Sequence, residues 1–244
     1  ITLSAMTSSH AYFGLLDNNF GNRTGWVSGG DGILAIDANA DGKINNINEL
    51  FGSATQSGFA ELATLDTNAD NKITAADAQW GNLRVWVDAD EDGNTDVGEL
   101  KTLAELNITE LGLTATTVNQ NINGNTLVET ANFVMNGTNR TMGEVLFNLD
   151  PTNTIYNGPL AALSWEAMTL PAIRGYGTVA DTPIAMSLDA TLLSMGQALN
   201  THAVLNDFAV FKTDLRAYLF KWAGVDAVDP ASRGAGATQG VGNA

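Results

Sequence analysis

The twelve residues "DADEDGNTDVGE", 88–99, restrict most strongly what this chain can become. Six of them are acidic: Asp88, Asp90, Glu91, Asp92, Asp96 and Glu99. Unit charges about 4 Å apart repel by roughly 1 kcal/mol in water, and by more near a protein surface. A short loop with this many carboxylates is either a solvated surface or has something positive among them. Counted from Asp88, positions 1, 3 and 5 are Asp88, Asp90 and Asp92. Gly93 stands at position 6, where the chain must turn sharply. Asn94 at position 7 offers its backbone carbonyl, Asp96 stands at 9, and Glu99 at 12 is long enough to bind with both oxygens. This is the spacing of a twelve-residue calcium loop. Hard carboxylate and carbonyl oxygens suit Ca2+, whereas magnesium takes fewer, tighter ligands and zinc prefers nitrogen or sulfur.

Two further stretches repeat the pattern with defects. In "DTNADNKITAAD", 66–77, Asp66, Asn68 and Asp70 fill positions 1, 3 and 5, and Lys72 gives the carbonyl at 7. Asn71 replaces glycine at 6 and tolerates a left-handed backbone. Asp77 closes this loop with a side chain one methylene shorter than Glu, so the expected affinity is lower. In "DANADGKINNINE", 37–49, Asp37, Asn39, Asp41, Lys43 and Asn45 fall at 1, 3, 5, 7 and 9. Its acid, Glu49, falls one place late, at 13. Either a local bulge absorbs the extra residue, or Glu49 caps a following helix. The loops at 37 and 88 follow strand-like stretches, so the reading is of EF-hand-like loops on a mixed strand and helix frame.

Charge divides the chain. Residues 1–150 hold 20 acids and 6 bases, whereas 151–244 hold 7 and 5. The formal net charge of −16 argues against nucleic acid, which needs clustered Lys and Arg. There is no Cys, so disulfides, thiolate zinc sites and cysteine nucleophiles are excluded. No apolar run approaches the ~18 residues of a membrane span, and "ITLSAMTSSH" lacks the pattern of a signal peptide. The missing initiator Met suggests a piece of a longer protein.

Periodicity gives an α+β first half and a helical second half. "AYFGLL", "TGWVS", "ILAID" and "NLRVWVD" read as strands, and "INELFG", "GFAELATL" and "GELKTLAEL" as helical. "NGN", 123–125, marks a hairpin. Beyond Pro151, 189–199 and 206–224 read as helices, the latter with a stripe of Phe208, Phe211, Leu215, Tyr218, Leu219 and Trp222. The expected organisation is a calcium-binding module over 1–152, a small, mostly helical domain over 153–230, and a flexible Gly/Ala-rich tail over 231–244.

Catalytic signals are weak. The two histidines, His10 and His202, lie in no nucleophile elbow or HExxH pattern. Asp150–Pro151 and Asp229–Pro230 are bonds that a positioned Asp carboxylate could cleave, but such pairs ordinarily form turns.

Residues 11–148, from "AYFGLLDNNFGNRTGW" through the three loops to "NGNTLVETANFVMNGTNRTMGEVLF", resemble the self-processing module of FrpC-like RTX proteins. Residues 172–234 resemble a helical segment that often follows such modules. The resemblance implies a calcium-folded module of a large, type I-secreted bacterial protein, an adhesin, filament or exoprotein. Its localisation would be extracellular or cell-surface. Its partners would be calcium ions, neighbouring domains of the same protein and, in a homo-oligomer or filament, further copies. In self-processing members, calcium triggers cleavage of an Asp-Pro bond just upstream of the module, which here would precede Ile1. That reaction is the alternative reading. The chain departs from the family at Gly14 and Leu16, where acids are usual, and it lacks the GGxGxDxUx arrays.

Overall fold

A computed structural model describes residues 1–28, 30–53, 55–158, 163–205 and 208–228. The chain forms two compact units, Ile1–Gly158 and a second from Pro159 onward. Asp229–Pro230 and the tail beyond them lie outside the described residues. No described helix is long and apolar enough to cross a membrane.

The first unit is built from short antiparallel strands, in keeping with the α+β reading. β1 (Leu3–Ser4) pairs with β4 (Trp26–Val27). β3 (Phe20–Thr24) is the middle strand of three, between β2 (Tyr12–Phe13) and β13 (Leu149–Tyr156). β7 (Leu83–Trp86) lies between β5 (Ile33–Ile36) and β8 (Leu100–Thr102). The largest sheet orders β10 (Thr116–Ile122), β11 (Asn125–Met135), β9 (Ile108–Gly112) and β6 (Lys72–Ile73). β12 (Thr138–Leu146) also pairs with β11.

Turn chemistry sets the large hairpins. The expected turn at Asn123–Gly124 joins β10 to β11, with Ile122 opposite Asn125 and both turn residues at positive φ. Asn136–Gly137 makes the same two-residue turn between β11 and β12. Such turns match the twist of the strands they join.

One reading is corrected and two are refined. "GELKTLAEL" is not helical: Leu100 pairs with Trp86, and the segment is strand β8 followed by turns. Its leucines fit a helical face, but the open edge of β7 supplies backbone partners that a lone short helix would lack. "INELFG" shrinks to a one-turn 3₁₀ helix, Ile47–Glu49. "GFAELATL" begins as the expected helix, α1 (Gly58–Leu62), and tightens to 3₁₀ at Ala63–Leu65. Finally, β7 is buried on both faces, because Trp86 and Leu83 are both fully enclosed.

Two apolar clusters hold this unit. One gathers Phe13, Trp26, Ile44 and Trp86, and the other Leu62, Ile73, Leu83 and Leu111. A cleft of about 840 Å³, lined among others by Leu15, Ile47, Phe51, Leu106, Met135 and Phe147, runs beside residues of both.

The second unit contains α2 (Trp165–Met168), α3 (Thr182–Leu188), α4 (Ala190–Val204) and α5 (Phe208–Trp222). Asp189 caps α4 through the Thr191 and Leu192 amides and meets Lys221 at 3.3 Å. Phe211, Leu215, Tyr218, Leu219 and Trp222 of the expected stripe pack on Met186, Leu192 and Leu199. Phe208 departs from the stripe and is exposed at the helix start. His202 of α4 meets Asp214 of α5 at 2.8 Å, while His10 is exposed.

Candidate metal centre

All three acidic loops share one backbone frame. Positions 4 and 6 are left-handed in each: Ala40 and Gly42, Ala69 and Asn71, Glu91 and Gly93. The first carboxylate then accepts hydrogen bonds from the amides of positions 5 and 6. Asp37 takes Asp41 and Gly42 at 3.1 and 3.0 Å, Asp66 takes Asp70 and Asn71 at 3.3 and 2.9 Å, and Asp88 takes Asp92 and Gly93 at 3.3 and 2.9 Å. The fifth carboxylate accepts from the seventh amide: Lys43 to Asp41, Lys72 to Asp70 and Asn94 to Asp92. Asn39 and Asn68 each accept the amide at position 5 through Oδ1.

The closing acids also correspond. Glu49, Asp77 and Glu99 each accept the position-9 amide at 2.9 Å, from Asn45, Thr74 and Asp96. Glu49 does so from position 13. The extra residue is absorbed where Asn46 caps the 3₁₀ turn by accepting from the Asn48 amide. The helix-cap role therefore belongs to Asn46, and Glu49 ends the turn as a buried acid.

The loops differ in what their carboxylates meet. One oxygen each from Asp37, Asp41 and Glu49 lies within 4.8 Å of the others, and so do oxygens from Asp88, Asp90 and Glu99. Asp92 and Asp96 stand outside the second group. The side chains of Asn39 and Asn45 turn their amide groups to Asp41 Oδ2, both at 3.1 Å, and Asn94 does the same to Asp92. No such acidic group forms in 66–77 among the described residues. There Asp77 is satisfied by the loop itself, accepting from the Thr67 amide and hydroxyl at 2.8 and 3.0 Å as well as from Thr74. The Lys72 ammonium pairs with Glu110 of β9 at 3.0 Å.

Electrostatics follow these contacts. The Thr74 and Thr67 amides hold the Asp77 carboxyl below the ordinary range. Burial pushes Glu49 up, and the Asp41 and Asp37 charges add to it, against the pull of the Asn45 and Ala38 amides. Burial likewise pushes Asp88 up, reinforced by Glu99 and opposed by the Gly93 amide and the Trp26 indole. Glu49 is 3% exposed, and its Oε1 accepts no well-formed hydrogen bond, the Ala38 amide acting on the carboxyl only as a weak, poorly aligned donor. Buried polar oxygens are ordinarily paired, so an unpaired oxygen on an acid gathered with two others makes Glu49 a candidate cation ligand.

The 88–99 loop is tied to the core by two indoles. Trp26 Nε1 donates to Asp88 Oδ2 at 2.7 Å, and Trp86 Nε1 donates to Glu99 Oε2 at 3.3 Å. The two rings meet edge to face at 5.4 Å, with Phe13 against both. The 37–49 and 88–99 loops also touch directly, at Ile44 and Thr95. Trp26, Trp86 and Thr95 were not legible as site residues. The only hint was Trp86, in a strand ending at Asp88.

At Asp150–Pro151, Asp150 Oδ1 accepts from the Thr152 hydroxyl, the Thr152 amide and the Asn153 amide at 2.7, 2.9 and 3.2 Å. These donors, the hydroxyl first, keep its carboxyl below the ordinary range.

Against known proteins, residues 1–148 match the SPM domain. The chain is also 34% identical over 235 residues to the iron-regulated protein FrpA of Neisseria meningitidis serogroup C. The alignment takes in 92% of this chain and 21% of that relative, so the chain spans about a fifth of FrpA's length. With the domain match running from its first residue through the last strand of the large hairpins, the chain belongs to the SPM domain family.

Proposed function

We propose that the first unit is a calcium-binding structural module, with EF-hand-like loops, of a large secreted RTX-like protein at or beyond the cell surface. The observation that carries this reading is Glu49 Oε1, buried and unpaired beside Asp37 and Asp41. The 37–49 loop would hold an ion through Asp37, Asn39, Asp41, the Lys43 carbonyl, Asn45 and Glu49. The 88–99 loop would use Asp88, Asp90, Asp92, the Asn94 carbonyl, Asp96 and Glu99. A weaker third site would draw on Asp66, Asn68, Asp70, the Lys72 carbonyl and Asp77. Bound calcium would supply the positive charge these acids lack and fix the loops to the strands that flank them. The module would stiffen an adhesin, filament or exoprotein and join its neighbouring domains, over 1–158 instead of the expected 1–152 because β13 runs to Tyr156, with a helical companion beyond it.

The alternative, calcium-triggered cleavage of an Asp-Pro bond before the module, rests on the family resemblance. Asp150 is a poor candidate within this chain, because three donors of the following turn already occupy its Oδ1. Calorimetric titration of the chelator-stripped chain tests the calcium reading. At least two calcium ions should bind, and magnesium should bind more weakly. An absence of calcium binding at millimolar concentration overturns it.

A further inference from the structure

We infer that the 37–49 and 88–99 loops take up their ions as one coupled pair through the Thr95 hydroxyl, while the 66–77 loop acts alone. This rests on the calcium reading above and goes beyond it.

Ile44 and Thr95 both stand at position 8, between the carbonyl at 7 and the side chain at 9. Thr95 Oγ1 accepts from the Ile44 amide at 2.9 Å and donates to the Ile44 carbonyl at 3.1 Å. One hydroxyl thus serves both backbone groups of a residue that is 1% exposed. Residues 43–45 cannot shift without carrying 94–96 with them. β2 makes a second, parallel connection. The Tyr12 amide donates to the Asp92 carbonyl at 3.2 Å, and the Ile47 amide donates to the Gly14 carbonyl at 3.1 Å. A side chain at Gly93 would meet the Tyr12 backbone at 3.0 Å, so this junction is close-fitting.

The third loop is tethered elsewhere. Its position-8 residue, Ile73, pairs with Leu111 of β9, and Asn71 Nδ2 donates to Thr114 Oγ1 at 2.7 Å. A strand of the large sheet, not another loop, fixes it.

An ion in either paired loop orders residues 43–45 and 94–96 together. The second ion then enters a loop already ordered, which is positive coupling. Repulsion between two cations works against this, but the six acids of 88–99 keep the surroundings negative.

The test is a double-mutant cycle on the full chain, with calcium as the only added ion. Trp26 and Trp86 emission reports filling of the 88–99 loop, and calorimetry counts ions. Glu49→Gln should weaken calcium binding at 88–99 about fivefold or more, although it lies in the other loop. In a Thr95→Val background the same change should have a clearly smaller effect, falling towards the roughly twofold scatter of independent sites, because only the path through β2 remains. Thr95→Ser, which keeps the hydroxyl, should restore the coupling, and Asp77→Asn should leave 88–99 within the same twofold band. If Glu49→Gln leaves 88–99 unchanged in the parent chain, or if coupling survives undiminished in Thr95→Val, the inference is wrong. Loss of all calcium binding in the parent chain would instead overturn the calcium reading beneath it.

Discussion

In the 66–77 loop the closing acid, Asp77, gives its oxygens to its own Thr67 and Thr74, and those donors keep it ionised. In the 37–49 loop the closing acid, Glu49, keeps Oε1 unpaired beside Asp37 and Asp41, and burial raises its pKa. The two backbones follow the same course, with left-handed residues at the same places. What separates them is the destination of one carboxylate. An acid satisfied by amides can rest within the scaffold, whereas a buried acid gathered with other acids would be relieved by a counter-charge or by a proton. The 88–99 loop shares features of both: Glu99 accepts from the Ala89 and Asp96 amides at 2.7 and 2.9 Å, as Asp77 does from Thr67 and Thr74, while Asp88 is buried, raised and gathered with Asp90 and Glu99.

The largest effect should separate the units. At free calcium a hundredfold above Kd, each site adds about 2.7 kcal/mol, so two paired sites add about 5 kcal/mol. For a domain of this size that is roughly 10–20 °C in Tm. Thermal unfolding followed by tryptophan emission and circular dichroism should show one transition moving this far on switching from chelator to calcium. Residues 163–228 form no gathered acidic group among those described, so the helical transition should stay in place. A helical transition that climbs equally would refute the division.

The next effect is a change of sign between loops. In chelator at neutral pH, Glu49→Gln removes a strained buried charge and should raise Tm, while Asp77→Asn removes a satisfied acceptor and should lower it. In calcium, Glu49→Gln should become the more damaging change. pH should show the same contrast. Glu49 and Asp88 have folded pKa values raised above the ordinary 4.5 and 3.8, so the folded chain binds their protons first. Their favourable contribution is complete below those ordinary values and is lost as pH rises through the folded ones. Asp77, lowered from 3.8, contributes in the opposite sense, fully above its ordinary value and lost as pH falls through the folded one. Chelated protein should therefore gain stability on mild acidification before losing it in strong acid. Urea melts of the parent and of Glu49→Gln across this range would expose an error, since the variant should show a smaller gain.

A smaller effect should follow from the indoles. Trp86→Phe keeps the ring packing and deletes the donor to Glu99, and calcium affinity at 88–99 should fall about tenfold. The 66–77 site should not respond, which calorimetry of the variant can check. Last comes an effect expected to be nil. Incubated with millimolar calcium at neutral pH, the chain should keep one mass. Fragments ending at Asp150 or Asp229, formed only with calcium, would make it a self-cleaving enzyme.

The spacing of Asp88, Asp90 and Glu99 was readable because a loop keeps its ligands local, and the structure gathers those three. The fate of Asp77 was not readable, since its competitors, Thr67 and Thr74, resemble ordinary loop residues until the backbone aims their donors. Trp26 was hidden by distance, standing 62 residues from Asp88. "GELKTLAEL" misled for a different reason. Leu100, Leu103, Ala104 and Leu106 satisfy a helical period over a segment too short to exclude a strand, and the free edge of β7 decided the outcome.

The position of β3 has a consequence for the order of assembly. Its partner β13 begins at Leu149, opposite Thr24, and runs to Tyr156, opposite Phe20. A chain emerging from its amino end can close each acidic loop within a dozen or so residues, but it cannot complete this sheet until the last strand arrives. Closing loops of this span is slow, and long-range pairing sets the pace of folding. A fragment trimmed at residue 148, where the domain match ends, would leave β3 as an unprotected edge open to pairing with other chains. The span matched by the domain is therefore shorter than the span that completes the sheet around β3.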